Sequence, residues 1–270
     1  MFRMQIQSKK KCIWYCGAAV SFLLFLLLNL WCDHLVNMQD AQQMAGRWSE
    51  KKDVAQISCF FSSKAEVTED TIQSFEYSLK NVLQEASITE TSENPSARLW
   101  VDAYSADGKI TLVNGRNTLD ANAIGIGGDF FLFHPLKLIT GSYFSGNDLM
   151  QDYCIIDQDA AWQLFGSNDV VGMTVYIGNV PHIVTGVVRR PQGRMEKAAG
   201  LTSTVVYVSY ETLETYGTSN GINHYEIVMP NPVDEFAYGK VKEGIGIDEK
   251  NVEIVENSRR YSLPNRIKTI

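Results

Sequence analysis

The chain has 270 residues, of which 45% are hydrophobic and 20% charged, a composition that excludes a disordered protein and allows one large core or two small ones. Its formal charge is −7, but four basic side chains, Arg3, Lys9, Lys10 and Lys11, fall in the first eleven residues, leaving 20 basic against 31 acidic residues, a net −11, in the remainder. An acidic body excludes nucleic acid as the partner, because phosphate binding needs clustered Lys and Arg.

From Cys12 to Trp31 the sequence carries no charge, and Ser21 and Asn29 are its only clearly polar side chains. Roughly 20 apolar residues cross a ~30 Å hydrocarbon core. The basic cluster precedes this run and Asp33 and Asp40 follow it, so the positive-inside rule places the N-terminus in the cytoplasm. A cleaved secretory signal needs a shorter apolar core and small residues at its exit, and a lipoprotein signal would use Cys32; bulky Trp31 fits neither. The expected layout is a basic cytoplasmic tail over 1–11, a single uncleaved transmembrane helix over 12–32, and a main domain on the outer face of the cytoplasmic membrane. Leu35, Met38, Ala45 and Trp48 recur at helical spacing, which predicts either a stalk helix over 33–53 continuing the membrane helix or a short helix packed on the domain.

The body begins with a β-rich run, Val54 to Phe61. Thr68 then offers an N-cap, followed by Glu69 and Asp70 and by Ile72, Phe75, Leu79, Val82, Leu83 and Ala86 at helical spacing. Arg98 to Tyr104 reads as a strand, with Asp107-Gly108 as a hairpin turn into Ile110 to Val113. Strand, helix and strand pair predict a small α/β lobe. Beyond Ala121 short strands and glycines predominate. Ala123 to Ile126 is a predicted strand, and Asp129 caps a short helix that stops before Pro135. Tyr153 to Ile156 is a buried strand, and Asp157 or Asp159 caps a helix that Gly166 ends. A hairpin turns at Gly178-Asn179 between Met173–Ile177 and His182–Val188, and further strands fall at 205–208, 225–229 and 252–255.

No chemistry stands out along the chain. His34, His134, His182 and His224 show no H-x-x-x-H or H-E-x-x-H spacing, so no metal site is predicted from sequence-local ligands. There is no G-x-S-x-G elbow and no Walker A loop. Gly125-Ile126-Gly127-Gly128 lacks the third glycine of a dinucleotide loop, Phe130 standing there, and reads as a tight turn after a strand. Ser49 and Lys52 match S-x-x-K by chance. Phe130, Phe131, Phe133, Tyr143 and Phe144 are core aromatics rather than a ligand groove. Of five cysteines, Cys12, Cys16 and Cys32 lie in or beside the apolar run, while Cys59 and Cys154 are expected as buried free thiols rather than a disulfide. The sequence therefore nominates no catalytic, cofactor-binding or metal-ligating residue and no cofactor, and an enzyme is not expected.

One ordered series of phrases carries a likeness: DFFLFHPLKLITGSYF from Asp129 to Phe144, YCIIDQDAAWQLFG, a D-x-x-G turn at Asp169 to Gly172, and MTVYIGNVPHIVTGVV. In this order it resembles the extracytoplasmic core domain of MacB-like and FtsX-like ABC transporter permeases. The resemblance implies an α+β fold: one N-terminal transmembrane helix, then a two-lobed domain over 54–257 with a Porter-like strand-helix-strand lobe and a β-rich second lobe, and a polar tail over 258–270. It implies a permease-type subunit without ATPase activity of its own, dimeric, partnered by a cytoplasmic ABC ATPase with or without a second permease chain, and coupling that ATPase to export or to an envelope partner. Such permeases carry three more membrane helices after the domain, and the tail SRRYSLPNRIKTI is too polar to span. The alternatives are a split or truncated permease, or a stand-alone envelope binding or sensor module.

Overall fold

The first element, α1 (Phe2–Asn37), is a 36-residue helix, about 54 Å long at ~1.5 Å per residue. This computed structural model describes residues 2–49, 53–89, 97–190, 193 and 203–260, in an N-terminal unit to Asp40 and a second unit, Ala41–Arg260. Trp14–Asn37 is long and apolar enough to cross a membrane, and Phe22, Leu23, Leu27 and Leu30 on it are exposed. The amide of Asn29, polar in this run, donates to the carbonyl of Phe25 one turn back at 2.8 Å, so it adds little to the cost of an apolar surrounding.

The stalk expected as one helix over 33–53 is not observed. The helix ends at Asn37, a 3-10 turn covers Asp40–Gln42, and α2 is a separate five-residue helix, Met44–Trp48. The second alternative describes α2: Met44 is buried, with Ala45 and Trp48 packed beside it. The Gln56 side chain fixes this segment, accepting from Met44 N at 2.9 Å and donating to Ala41 O at 2.6 Å.

The second unit is organised by strands β1 (Val54–Phe61), β2 (Val101–Asn114), β3 (Asn117–Gly128), β4 (Leu138–Gly141), β5 (Tyr153–Asp157), β6 (Thr174–Ile177), β7 (Val180–Val188), β8 (Val205–Ser209), β9 (Thr218–Ser219), β10 (His224–Pro230) and β11 (Val252–Glu256). The helices are α3 (Glu69–Glu85), α4 (Phe130–Phe133), α5 (Gln158–Phe165), α6 (Tyr210–Tyr216), α7 (Phe236–Gly244) and α8 (Asn257–Arg260). Among the described residues all strands belong to one sheet, nine of them along the path β11-β1-β10-β2-β3-β8-β5-β7-β4, with β6 pairing β2 and β7, and β9 pairing β2, off that path. The first four are antiparallel throughout. With α3 after β1 and α7 after β10 they form a split β-α-β arrangement, into which everything from β3 to β9 is inserted.

That insertion is the β-rich lobe. The ladders β2–β3, β3–β8, β8–β5, β5–β7, β7–β6 and β6–β2 close on themselves into a small barrel. Its buried residues include Leu112, Cys154, Ile156, Val175, Ile177, Val184, Val206 and Val208. The two expected lobes are present and share β2, whose 14 residues run from one into the other.

Local chemistry accounts for most elements. Helix α3 buries Ile72, Phe75, Leu79 and Leu83 on one stripe, each contributing about 1.5–3 kcal/mol. Asp157 is the N-cap of α5, its carboxylate accepting from Ala160 N at 2.8 Å, and Gly166 ends that helix with φ +71°. Gly178 and Asn179, at φ +57° and +67°, make the tight turn between β6 and β7.

Two glycine readings are corrected. Asp107 and Gly108 do not turn the chain; they pair with Ile124 and Ala123 inside the β2–β3 ladder, and the hairpin turns at Gly115-Arg116 instead, with Gly115 at φ +61°. Gly125 and Gly127 likewise lie within β3 rather than in a turn. A Cβ on Gly127 would stand 1.9 Å from the Tyr104 ring, so the glycine makes room for a neighbour. Cys59 and Cys154 are buried free thiols; burial pushes the Cys154 thiol up to about 12. Lys52 and the end of the polar tail, 261–270, lie outside the described residues.

Candidate functional site

Because side chains alternate along a strand, even-numbered residues of β1 and β10 face away from α3. Ser58 stands opposite Glu226, and Phe60 opposite His224. On the same face α4 is built from Phe130, Phe131 and Phe133, all buried with Val101, Ala103 and Val228. His134 is the C-cap residue of α4, its backbone N–H donating to Phe130 O at 2.9 Å. His134, His224 and Glu226 thereby meet, each offering a donor atom within 4.8 Å of the others. Among the described residues it is the only such group of three His, Cys, Asp or Glu side chains.

The carboxylate of Glu226 is the most enclosed, 5% exposed, against 24% for the His134 and 19% for the His224 side chain. Glu226 Oε1 accepts from Ser58 Oγ at 2.8 Å, and Ser58 Oγ accepts in turn from Asn257 Nδ2 at 2.7 Å. Glu226 Oε2 lies 2.6 Å from His134 Nε2, while His224 Nε2 is buried without a hydrogen-bond partner. Each unsatisfied group of this kind costs roughly 1–3 kcal/mol. The rings are held by aromatic contacts: His224 stacks on Phe60 at 4.6 Å and His134 lies against Phe130 at 4.6 Å.

Burial lowers the pKa of His224, against the upward pull of Glu226, and so favours the neutral imidazole. For Glu226, burial acts upward, but the close approach and charge of His134, with His224 and Ser58, outweigh it and leave the carboxyl below its usual range. The arrangement is thus a buried carboxylate with two imidazoles, able to hold a proton or a cation.

The other histidines do not converge. His34 is exposed on α1. His182 is buried, with Nδ1 3.0 Å from Val180 O and Nε2 3.3 Å from Thr212 Oγ1, a satisfied core histidine. Phe130, Phe131, Phe133 and Phe144 are core, as expected; Tyr143 is not, its side chain being exposed and stacked on Phe131 at 4.6 Å. The sequence reading missed the cluster because His134 is 90 positions from His224. The available signal was H-x-E at 224–226, two donors on one face of a predicted strand.

An acidic pair lies on the opposite face. Glu76 of α3 adjoins Asp102 of β2, which accepts from Tyr225 Oη at 2.9 Å. Burial first, then Asp102, pushes Glu76 up to about 8. Burial also raises Asp102, against hydrogen bonds from Glu76 and Tyr225. The folded chain therefore holds a proton at Glu76 that the unfolded chain releases above about 4.5, and stability falls as pH rises from there through 8. Glu76→Gln removes this loss. Discounted for partial exposure, it stabilises by about 1–2 kcal/mol at pH 9 and by little at pH 5. Thermal unfolding of the detergent-solubilised chain at both pH values reads this out, and an equal shift at pH 5 and pH 9 contradicts it.

Comparison with known proteins places this domain among relatives. The family model described as MacB-like periplasmic core domain matches residues 38–254. The macrolide export ATP-binding/permease protein MacB of Pasteurella multocida is 32% identical over 81 residues, covering 29% of this chain and 12% of the relative. That of Chromobacterium violaceum is 31% identical over 96 residues, covering 35% and 14%. The chain thus spans about one-eighth of the length of these curated relatives. Among solved structures, the periplasmic region of MacB from Actinobacillus actinomycetemcomitans superposes with a TM-score of 0.48 at 20% identity, covering 80% of this chain and 93% of that one. The extracellular domain of the ABC-type transporter YknZ from Gram-positive bacteria gives 0.44 at 19% identity, covering 74% and 99%.

Proposed function

Since the chain belongs to the MacB-like periplasmic core domain family, we propose that it is a membrane-anchored, permease-type subunit of an ABC transporter, with no ATPase activity of its own. In this reading α1 spans the cytoplasmic membrane with its basic end inside, and residues 41–260 stand on the outer face. A cytoplasmic ABC ATPase, with or without a second permease chain, drives a dimer of these subunits, and the outer domain passes that work to an exported substrate or an envelope partner.

The observation that carries the reading is the succession of parts. The apolar stretch Trp14–Asn37 ends where the family match begins, at residue 38. Arg3 and Lys9 to Lys11 precede the stretch and Asp40 follows it, as the positive-inside rule requires for an outward-facing domain.

Labelling in intact cells tests the placement. Leu149 is fully exposed in the second unit, whereas Cys59 and Cys154 are buried. A membrane-impermeant maleimide is expected to label Leu149→Cys in intact spheroplasts above the level of the parent chain. Labelling that appears only after permeabilisation would put the domain inside and sink the proposal.

A further inference from the structure

We propose that His134, His224 and Glu226 form a binding site for a divalent transition-metal ion of the zinc type, bridging the short helix α4 to strand β10. Nothing in the coupling role proposed above requires it. Two imidazole nitrogens and a carboxylate oxygen are a donor set for zinc, and three protein ligands leave the fourth tetrahedral position to water. The mixed nitrogen and oxygen set disfavours Mg2+ and Ca2+, which take oxygen ligands.

Three features set this cluster apart from a surface ion pair. First, one of the donor atoms, His224 Nε2, is buried without a hydrogen-bond partner, and a cation held between it and the Glu226 carboxylate satisfies it. Second, the carboxylate has outer-sphere support, Asn257 donating to Ser58 and Ser58 donating to Glu226, which is how ligand carboxylates are oriented in metal sites. Third, Phe60 and Phe130 flank the two rings, limiting their freedom before a metal arrives. The donor atoms lie within 4.8 Å of one another, the His134 and Glu226 atoms 2.6 Å apart; a tetrahedral site with bonds of about 2.0–2.1 Å spaces its ligand atoms by roughly 3.3 Å, so the longer separations shorten and the His134–Glu226 contact opens slightly as the ion enters between them.

The consequence is mechanical. His134 ends α4, while His224 and Glu226 lie on β10 between β1 and β2, so a bound ion clamps the insertion to the split β-α-β layer at one point.

The test uses the full-length chain in mild detergent, stripped with chelator, with Cys12, Cys16 and Cys32 replaced by serine so that thiolates contribute nothing. Zn2+ is expected to bind with one saturable equivalent and to raise the unfolding temperature, with Mg2+ inert. Co2+ is expected to give visible ligand-field absorption of a four-coordinate site, displaced by Zn2+. His224→Ala should abolish the absorption and weaken Zn2+ binding about 100-fold or more, and Ser58→Ala should weaken it roughly 10–100-fold. Should His224→Ala not fold, His134→Gln at the more exposed ring decides the matter by the same readouts. Absence of saturable binding, or binding that these substitutions leave unchanged, overturns the proposal.

Discussion

Replacing Asp157 by alanine is expected to destabilise the domain by about 3–5 kcal/mol, because one carboxylate serves three elements at once. Its Oδ1 accepts from Ala160 N at 2.8 Å and caps α5. Its Oδ2 accepts from Arg190 Nη2 at 2.6 Å and Nε at 3.1 Å, and from Val205 N at 3.1 Å at the start of β8. Loss of the cap alone costs ~1 kcal/mol. The larger part comes from Arg190, whose side chain is only 17% exposed and loses its 2.6 Å ion pair with Asp157. Breaking an enclosed ion pair by removing one member costs about 3–5 kcal/mol. Thermal unfolding should show a fall in Tm of roughly 10 °C or more, at ~2–4 °C per kcal/mol for a domain of this size. Asp157→Asn keeps the cap and should fall between. A loss below about 1 kcal/mol would mean that the network is not formed in solution.

The second large effect concerns Gly108. A Cβ there would stand 2.3 Å from the carbonyl oxygen of Thr218 and 2.9 Å from Leu213 Cδ1. Thr218 belongs to β9, which pairs with β2 at this point, so the backbone oxygen cannot retreat without breaking that pairing. Gly108→Ala is expected to cost about 3 kcal/mol or more, or to prevent folding. Gly115→Ala supplies the contrast: Gly115 has φ +61° and nothing near its Cβ position, so its cost is backbone strain alone, about 1 kcal/mol. Equal costs at the two positions, by denaturant unfolding of purified chains, would contradict the placement of the hairpin at 115–116.

That contrast also explains which parts of the fold were legible in the sequence. Signals that act within a few residues transferred directly: the β-rich run at Val54–Phe61, the capped stripe of α3, the Asp157 and Gly166 ends of α5, and the Gly178-Asn179 turn. Asp107-Gly108 failed because a glycine needed for a turn and one needed for a close neighbour look alike, and that neighbour, Thr218, is about a hundred residues away. The stalk failed for a related reason. The spacing of Leu35, Met38, Ala45 and Trp48 fits one helix, but it carries no mark of the break at 38–43, where Gln56 captures Ala41 and Met44. The family was legible because its phrases are ordered along the chain. The His134, His224 and Glu226 cluster was not, because it exists only once α4 lies against β10.

The central claim is that this chain works as a permease-type subunit within a transporter complex, and crosslinking in the native membrane tests it most directly. The tagged full-length chain is crosslinked before solubilisation, purified under stringent conditions, and its partners are identified by mass spectrometry. The account predicts recovery of an ABC-type ATP-binding subunit together with a second copy of this chain or another permease chain. Recovery of this chain by itself, with ATP-binding subunits plainly detectable in the starting membranes, would contradict it.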